Sequence, residues 1–540
     1  MKEIKISKKL EILIKIIIIL SFGAMNPLLL HFYVKKEALI SCILCLIVAF
    51  FVFRKINIKK ISTKKLMIAL LIGAYVDKIY MAISSSRITE MIKTFPITII
   101  SKGFMRISIP PLLAVLSFPA IVFCIYWWIE KHHPRVVKEV KQFTKTEIKY
   151  LIIVGVISFI LVSGISICTS AFQDTKLNSN VIADVIYTSD NGIIYGTDAW
   201  LNLANAENDI RQPLFGIFSL PFAISAHILS EFIFFVPKTI SYGIILSVIQ
   251  FLLLAITNIL LARLLKLEEK EKKYFYAFFS LSFPYLLFGF IIEQYVIALF
   301  YLIVTIYLFD KPKNSINYSY LGAVSTLITT GIIFPLIAKF HNIKDAFKKY
   351  KDCFIYFLVI AILGGQITQV FTIRKKMKFF TKTFVGKQLF IDKFNKYTAF
   401  IKSLFIIDPG HKGMLHHYPV YRMNVPTTVS IIGLIIIGFV IISFLINRKE
   451  RMARISILWI LFSFVILCLV GWGTKENGLI LYSLYFAWAF YLLIYLLLKK
   501  IIPNKKAFAI VMIGMILLLG AFTSKELYHI LMFAIQYYRR

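Results

Sequence analysis

The segment KYLIIVGVISFILVSGISICTSA (149–171) decides the fold class of this chain. Lys149 is its only charged residue, and its length falls within the roughly 17–25 apolar residues that cross a bilayer as an α-helix. The hydrocarbon region offers no water to the peptide groups, so such a segment must form its backbone hydrogen bonds internally. The sequence therefore predicts a transmembrane helix at 149–171.

Similar apolar runs recur along all 540 residues, of which 59% are hydrophobic and 16% charged. The mean hydropathy is +0.79. Soluble domains average roughly 45–50% apolar and about 25% charged residues, so a soluble globular enzyme, a disordered chain and a disulfide scaffold are excluded. A β-barrel is excluded because its strands alternate apolar and polar residues over roughly 10 positions. The other predicted membrane helices are 10–33, 38–54, 66–84, 109–129, 239–263, 274–291, 294–309, 353–372, 427–447, 455–471, 478–498 and 506–523.

The net charge of +35, from 62 Lys and Arg against 27 Asp and Glu, is concentrated in short segments between the apolar runs. This pattern is typical of cytoplasmic loops under the positive-inside rule and argues against a nucleic-acid partner. It places the N-terminus in the cytoplasm, so the helix at 149–171 leads to the outer face. The first apolar run is too long for a cleavable signal. The Ile, Lys and Phe content suggests an AT-rich bacterial genome, so a multi-pass protein of the bacterial plasma membrane is predicted.

Two further apolar segments are predicted not to cross the membrane. Segment 213–236 contains Pro213, Gly216 and Pro221, which favour a broken helix. A full span there would place five cations of the next basic loop on the outer face, against the positive-inside rule. The segment is therefore predicted to dip into the outer leaflet or to lie along it. Segment 318–340 is predicted to form two half-helices for the same reason.

Two long external loops are expected to carry opposite charges. Loop 172–212 contains six carboxylates against one Lys and one Arg, whereas loop 374–425 contains nine Lys and two Arg. Carboxylates can deprotonate a hydroxyl acceptor, and cations at headgroup depth can bind a lipid phosphate. The alternatives are a solvated acidic surface, with Asp190-Asn191-Gly192 an ordinary turn, and general attraction to anionic lipid headgroups.

The order of these features resembles the GT-C superfamily of membrane glycosyltransferases, in particular its protein-mannosyltransferase and aminoarabinose-transferase branches. Gln212-Pro213-Leu214 stands where that family has a His-Pro-Pro-Leu segment, without the His. Thr197-Asp198-Ala199-Trp200 is similar to the start of the first acidic motif of the oligosaccharyltransferase catalytic subunit. The adjacent Asp-Glu pair of the family is absent, and four additional helices precede the loop. The resemblance covers roughly residues 149–372 by layout.

The resemblance implies an all-α polytopic membrane protein with a GT-C-like helical bundle, re-entrant or juxtamembrane helices and two large external loops. It also implies sugar transfer from a polyprenyl-phosphate lipid. Asp190 or Asp198 would be the base or a metal-holding acid, and Glu293 would match the family's second external acid; the alternative for Glu293 is an interfacial helix cap. The candidate substrate-binding residues are Trp200, Glu207, Asp209, Arg211, Arg374, Lys375, His416, Arg422 and Lys475.

The expected domains are N-terminal transmembrane helices at 1–148, a catalytic membrane core at 149–372, the basic external loop at 373–426 and C-terminal transmembrane helices at 427–540. The expected partners are a polyprenyl-phosphate-sugar lipid, a glycan or protein acceptor, and membrane lipids. No metal site is assigned, and a divalent metal cofactor stays an open alternative. A lipid-linked glycan flippase or transporter, and a glycan polymerase or ligase, are the competing functions.

Overall fold

The computed structural model describes residues 3–29, 35–56, 58, 60–77, 99–172, 176–177, 180–181, 185–187, 189, 214–309, 331–340, 342–364, 374, 377–379, 381–415, 417–475 and 478–540. The fold is mostly helical. Within the described residues, five helices are long and apolar enough to cross a membrane: Lys145–Cys168, Lys238–Leu264, Arg451–Val470, Leu479–Ile501 and Lys505–Tyr538.

Most helices overlap a predicted apolar run, but the run predicted as one helix at 274–291 forms two, and the helices predicted to begin at 109 and 353 begin at Ile99 and Ile343. In chain order they are α1 (Lys8–Leu29), α2 (Lys35–Lys55), α3 (63–77), α4 (Ile99–Lys131), α5 (His133–Val140), α6 (Lys145–Cys168), α7 (Phe215–Ser230), α8 (Lys238–Leu264), α9 (Glu269–Ser280), α10 (Phe283–Phe290), α11 (Tyr295–Leu308), α12 (Ile333–Phe340), α13 (Ile343–Leu363), α14 (Phe390–Ser403), α15 (Ile431–Asn447), α16 (Arg451–Ser463, continued by a π-helix over Phe464–Val470), α17 (Ser483–Ile501, preceded by a 3₁₀ turn over Gly478–Tyr482) and α18 (Lys505–Tyr538).

The strands in the described part of the chain form three two-stranded antiparallel ribbons: β1 (Glu3–Lys5) with β2 (Lys60–Ser62), β3 (Lys176–Leu177) with β4 (Asn180–Val181), and β5 (His411–Leu415) with β6 (Tyr418–Arg422). The chain divides into two compact units. Unit 1 comprises Met1–Thr144, Leu203–Ile217 and Tyr356–Arg374, and unit 2 comprises Lys145–Asn202, Phe218–Ile355 and Lys375–Arg540.

Unit 1 is built around the packing of α1 against α2 and α4. Phe22 and Phe53 are almost fully buried at this contact, with ring centroids 5.5 Å apart. The Ser21 hydroxyl accepts a hydrogen bond of 2.8 Å from the backbone N–H of Ala120, so a polar pair fixes the position of α4 inside an apolar contact.

At one end of unit 2, a buried carboxylate joins three helices. Glu147 in the first turn of α6 is fully buried. Arg263 near the end of α8 binds it through two hydrogen bonds, Nη2 to Oε2 at 2.6 Å and Nε to Oε1 at 3.0 Å. Lys272 of α9 lies 3.3 Å from Oε1. A buried carboxylate needs such compensation because removing its charge from water is costly.

The same end also holds α17 and α18. Lys499 in the last turn of α17 pairs with Glu271 at 2.9 Å, and Lys505 at the start of α18 pairs with Glu268 at 3.0 Å. Helices α6, α9 and α18 therefore begin at this end of unit 2, and α8 and α17 finish there. These relative directions agree with those that the distribution of Lys and Arg predicted.

Helix α7 lies within the apolar segment 213–236, which was predicted to dip into the outer leaflet or to lie along it. The hydroxyl of Tyr301, at the middle of α11, donates a 3.3 Å hydrogen bond to the carbonyl of Phe218. His227 near the end of α7 stacks on Tyr242 in the second turn of α8, with ring centroids 4.0 Å apart. Helix α7 thus begins beside the middle of α11 and ends beside the start of α8. It continues through Pro221 as one helix, so the predicted break in this segment was wrong.

The structure corrects several predicted boundaries. Helix α18 has 34 residues, which corresponds to about 51 Å, and continues well past the predicted end at 523. The basic segment 374–425 was treated as a loop, but it contains α14 and the β5–β6 hairpin. Helix α12 occupies the second part of segment 318–340, and residues 318–330 lie outside the described residues, so the two half-helices stay a prediction. These errors share a cause, since each element is stabilised by contacts with distant parts of the chain.

Candidate functional site

The acidic and basic loops meet in unit 2 through backbone pairing. Residue Ile186 of the acidic loop forms a parallel β-bridge with Tyr421 of β6. The N–H of Tyr187 donates to the carbonyl of Tyr421 at 2.9 Å, and the N–H of Tyr421 donates to the carbonyl of Val185 at 2.7 Å. Segment 185–187 therefore extends the β5–β6 hairpin. We call this meeting point of segment 185–187, Gly410, Tyr421 and Glu526 the loop junction.

A buried carboxylate of α18 lies at the centre of the loop junction. The Glu526 side chain is 1% exposed, and its Oε1 accepts hydrogen bonds from the hydroxyl of Tyr187, from the hydroxyl of Tyr421 at 3.0 Å and from the N–H of Gly410 at 3.0 Å. Its Oε2 is buried and has no hydrogen-bond partner among the described residues. Oε1 of Glu526 thus links three chain segments, whereas its Oε2 accepts no hydrogen bond from the described residues.

Both tyrosines are held in their protonated, donating form. Burial and the nearby Glu526 carboxylate raise the pKa of Tyr187 and of Tyr421 above the usual value for a phenol. Each effect penalises the tyrosinate, because a buried anion is poorly solvated and is repelled by a neighbouring carboxylate. The two hydroxyls can therefore donate to Oε1 throughout the physiological pH range.

Aromatic packing places the loop junction against the helical bundle. The Tyr187 ring contacts Phe283 at the start of α10, with centroids 6.0 Å apart, and Tyr421 at 5.4 Å. The Tyr421 ring in turn contacts Phe533 of α18 at 5.3 Å. These aromatic contacts add to the apolar burial, so the junction packs against both α10 and α18.

The start of the acidic loop is hydrogen-bonded to the C-terminal end of α18. The Thr169 hydroxyl, just after α6, lies 2.8 Å from the carbonyl of Tyr538, and the N–H of Ser170 donates to the same carbonyl at 2.9 Å. The Tyr538 hydroxyl donates to the carbonyl of Pro419 in β6 at 2.5 Å. The C-terminal end of α18 therefore holds both the start of the acidic loop and the hairpin of the basic loop.

The predicted catalytic residue Glu293 is buried rather than displayed on an exposed turn. Its side chain is 1% exposed, and its N–H donates to Oε1 of Gln250 at 3.2 Å. The Gln250 amide donates in turn to the carbonyls of Phe288 and Ile291, at 3.1 and 2.9 Å. Gln250 of α8 thus fixes the backbone between α10 and α11, and it holds the position of Glu293.

A second polar cluster surrounds the turn after α16. The buried Lys396 of α14 donates to the carbonyl of Thr474, and burial lowers the pKa of this lysine. The Gly386 N–H donates to the Thr474 hydroxyl at 3.3 Å. Lys475, predicted to bind substrate, donates to the carbonyl of Lys382 at 3.0 Å. This lysine therefore bonds the backbone of the basic loop.

The other predicted site residues fall into two groups. Arg422 follows Tyr421 at the end of β6, opposite His411, and its side chain lies against Gly413 of β5. Arg374 is exposed. The remainder lie outside the described residues: Asp190, Asp198, Trp200, Glu207, Asp209, Arg211, Lys375 and His416. Asp190 directly follows Ser189, whose N–H donates to the carbonyl of Ile186 in the junction at 3.0 Å.

Sequence reasoning missed the residues at the centre of the junction, Tyr187, Tyr421 and Glu526. One signal was present. The buried residues of α18 continue past the predicted helix end at helical spacing, as Leu519, Thr523, Glu526, Ile530 and Phe533. An acid on the apolar face of a helix needs a partner, so its position already indicated a buried polar contact.

No protein-family profile, characterised protein or solved structure matches this chain in the comparisons with known proteins. Within the described ranges, no group of three or more His, Cys, Asp or Glu side chains is arranged to hold a metal ion.

The first testable prediction concerns the Glu526 acceptor. We expect Glu526→Leu to loosen the loop junction, because it leaves three donors without an acceptor, and each buried unsatisfied donor costs about 1–3 kcal/mol. Hydrogen–deuterium exchange at 185–189 and 410–422 should become faster. Glu526→Gln keeps an acceptor oxygen and should exchange nearly as the wild type does. Equal exchange in the Leu variant and the wild type would show that these hydrogen bonds do not hold the junction.

Proposed function

We propose that this chain is a membrane glycosyltransferase. It moves a sugar from a polyprenyl-phosphate-linked donor to a glycan or protein acceptor on the outer face of the cell membrane. The observation that carries the proposal is the loop junction, where the acidic loop pairs with the hairpin of the basic loop directly before Asp190. The pairing brings a loop rich in carboxylates to a loop rich in cations.

This juxtaposition suits transfer from a lipid phosphate. A carboxylate of the acidic loop, Asp190 or Asp198, takes the proton of the acceptor hydroxyl as its oxygen bonds to the anomeric carbon. The bond from that carbon to the phosphate oxygen breaks, and the polyprenyl phosphate leaves with the electron pair. Cations such as Arg422 stabilise the charge that develops on the leaving phosphate. Glu293 is the proposed second acid of the site.

Helix α7 follows the acidic loop directly and packs beside the middle of α11. We expect this segment to be re-entrant, which fits a GT-C-like bundle. A re-entrant helix would leave space on its outer side for the headgroup of a prenyl lipid. The donor phosphate would then lie at headgroup depth, beside the loop junction.

The test is a transfer assay with the full chain in proteoliposomes. A polyprenyl-phosphate donor carrying a labelled sugar is supplied on the outer side, with a cell-envelope glycan fraction as acceptor. We expect labelled acceptor together with free polyprenyl phosphate, and no transfer from a nucleotide sugar. Movement of intact lipid-linked glycan across the bilayer without bond cleavage would instead identify a flippase. Elongation of one lipid-linked glycan by another would identify a polymerase or ligase.

A further inference from the structure

Unit 1 contains a cavity that the proposed sugar transfer does not use. It is an open pocket on the surface of the unit, with a volume of about 630 Å³. It lies where the start of α1, the end of α2 and the β1–β2 ribbon meet. Six cationic side chains line it: Lys5, Lys8, Lys15, Arg54, Lys55 and Lys60.

The lining carries far more positive than negative charge. Among the described lining residues, Glu11 is the one carboxylate, and it is already engaged by Lys15 at 2.8 Å and by the N–H of Ile58 at 3.2 Å. Lys60 forms an ion pair of 2.9 Å with Glu3, a residue that does not line the cavity. Among the described residues, the remaining four cations, Lys5, Lys8, Arg54 and Lys55, form no ion pair.

The fold brings these cations together instead of separating them. Lys5 and Lys60 are direct partners across the β1–β2 ribbon, and like charges at such positions repel. The cavity also lies at the N-terminal end of α1, where the helix dipole favours an anion. A bound anion would offset the repulsion between Lys5 and Lys60 and would interact favourably with the dipole of α1.

We propose that this cavity binds the phosphate group of an anionic ligand. Four cations that form no ion pair within the described part of the chain match the two or more negative charges of a diphosphate, or a phosphodiester headgroup with its neighbours. The positive-inside rule assigns these segments to the cytoplasmic side. The phosphate therefore comes either from a phospholipid of the inner leaflet or from a soluble phosphorylated compound.

The test compares two fourfold variants of the full-length protein purified in detergent. The cavity variant is Lys5→Gln/Lys8→Gln/Arg54→Gln/Lys55→Gln. The control variant is Lys131→Gln/Arg135→Gln/Lys138→Gln/Lys141→Gln, which removes the same charge from exposed positions of α4, α5 and the turn after α5 in the same unit. Inorganic pyrophosphate binding is measured by calorimetry. Retained phosphatidylglycerol is counted by native mass spectrometry, with phosphatidylcholine as the zwitterionic reference.

We expect the cavity variant to weaken binding at least about tenfold, because charge-assisted hydrogen bonds to phosphate are lost, and the control variant to change it little. Loss of pyrophosphate binding identifies a soluble ligand, and loss of phosphatidylglycerol retention identifies a lipid headgroup. Either result supports the phosphate site. Equal weakening in both variants, or no binding of either probe by the wild type, would overturn it.

A measurement on the wild-type protein covers the case in which the cavity variant fails to fold. Acetylation of lysines by an amine-reactive reagent is followed by mass spectrometry with and without each probe. Lys8 and Lys55 should be protected severalfold by the ligand, whereas Lys138 and Lys141 should react at an unchanged rate. Equal reactivity of all four lysines in the presence of both probes would contradict the proposal.

Discussion

Replacing Asp190 by Asn should reduce the rate of sugar transfer by about 10²–10⁴-fold, the usual contribution of a general base. The amide has nearly the same shape as the carboxylate but cannot accept the acceptor's proton. We expect the loss in kcat and a small change in KM, because the side chain acts on the reacting hydroxyl rather than on donor binding. The proteoliposome assay with a labelled polyprenyl-phosphate sugar measures both constants.

Asp198→Asn and Glu293→Gln complete the series. At least one of these two variants should transfer sugar at a rate reduced by a similar factor, since the proposed chemistry needs a second acid to orient the acceptor or to hold a metal. Asp174→Asn is the matched control, because it removes the same charge from the same acidic loop at a position that has no proposed role. Wild-type rates in Asp190→Asn, Asp198→Asn and Glu293→Gln together would refute the catalytic assignment.

The largest expected effect on stability comes from Glu147. Glu147→Ala should lower the free energy of unfolding by about 3–5 kcal/mol, because it leaves buried cations without their counterion. The side chains of Arg263 and Lys272 are only 14% and 9% exposed, so water cannot replace the carboxylate. Denaturant unfolding of the detergent-purified protein, followed by circular dichroism, measures the change.

Glu268→Ala provides the comparison at the same end of unit 2. Glu268 and its partner Lys505 are 65% and 83% exposed, and exposed ion pairs contribute about 0–1 kcal/mol. We therefore expect a clear difference between the two variants. If both lower the free energy of unfolding equally, the buried pairing of α6 with α8 and α9 is not the main source of stability at that end.

Much of the helical arrangement could be predicted from the sequence. The run predicted at 239–263 is α8, Lys238–Leu264, and the run predicted at 149–171 is α6, Lys145–Cys168. A long apolar segment has one stable conformation in a membrane, and its length is set by the bilayer. The positions of Lys and Arg likewise gave the relative directions of α6, α8, α17 and α18. These are local properties, readable from consecutive residues.

The position of Glu293 illustrates an intermediate case. The sequence placed an acid in a short turn between two apolar helices, and the structure has that turn between α10 and α11. Its burial could not be predicted, because it depends on Gln250, which lies 43 residues away in the chain and bonds the backbone of the turn. Exposure of a residue in a turn is decided by what packs over it.

The sequence by itself determined a membrane protein of long apolar helices, with acidic and basic segments at separate places in the chain. Only the tertiary structure decided that these segments meet. The contact between Tyr187 and Glu526 spans 339 residues, and that between Tyr421 and Glu526 spans 105. Apolar length and charge are carried by neighbouring residues and can be read along the chain. A buried hydrogen bond between distant residues depends on the packing of every helix between them, and no local pattern contains that information.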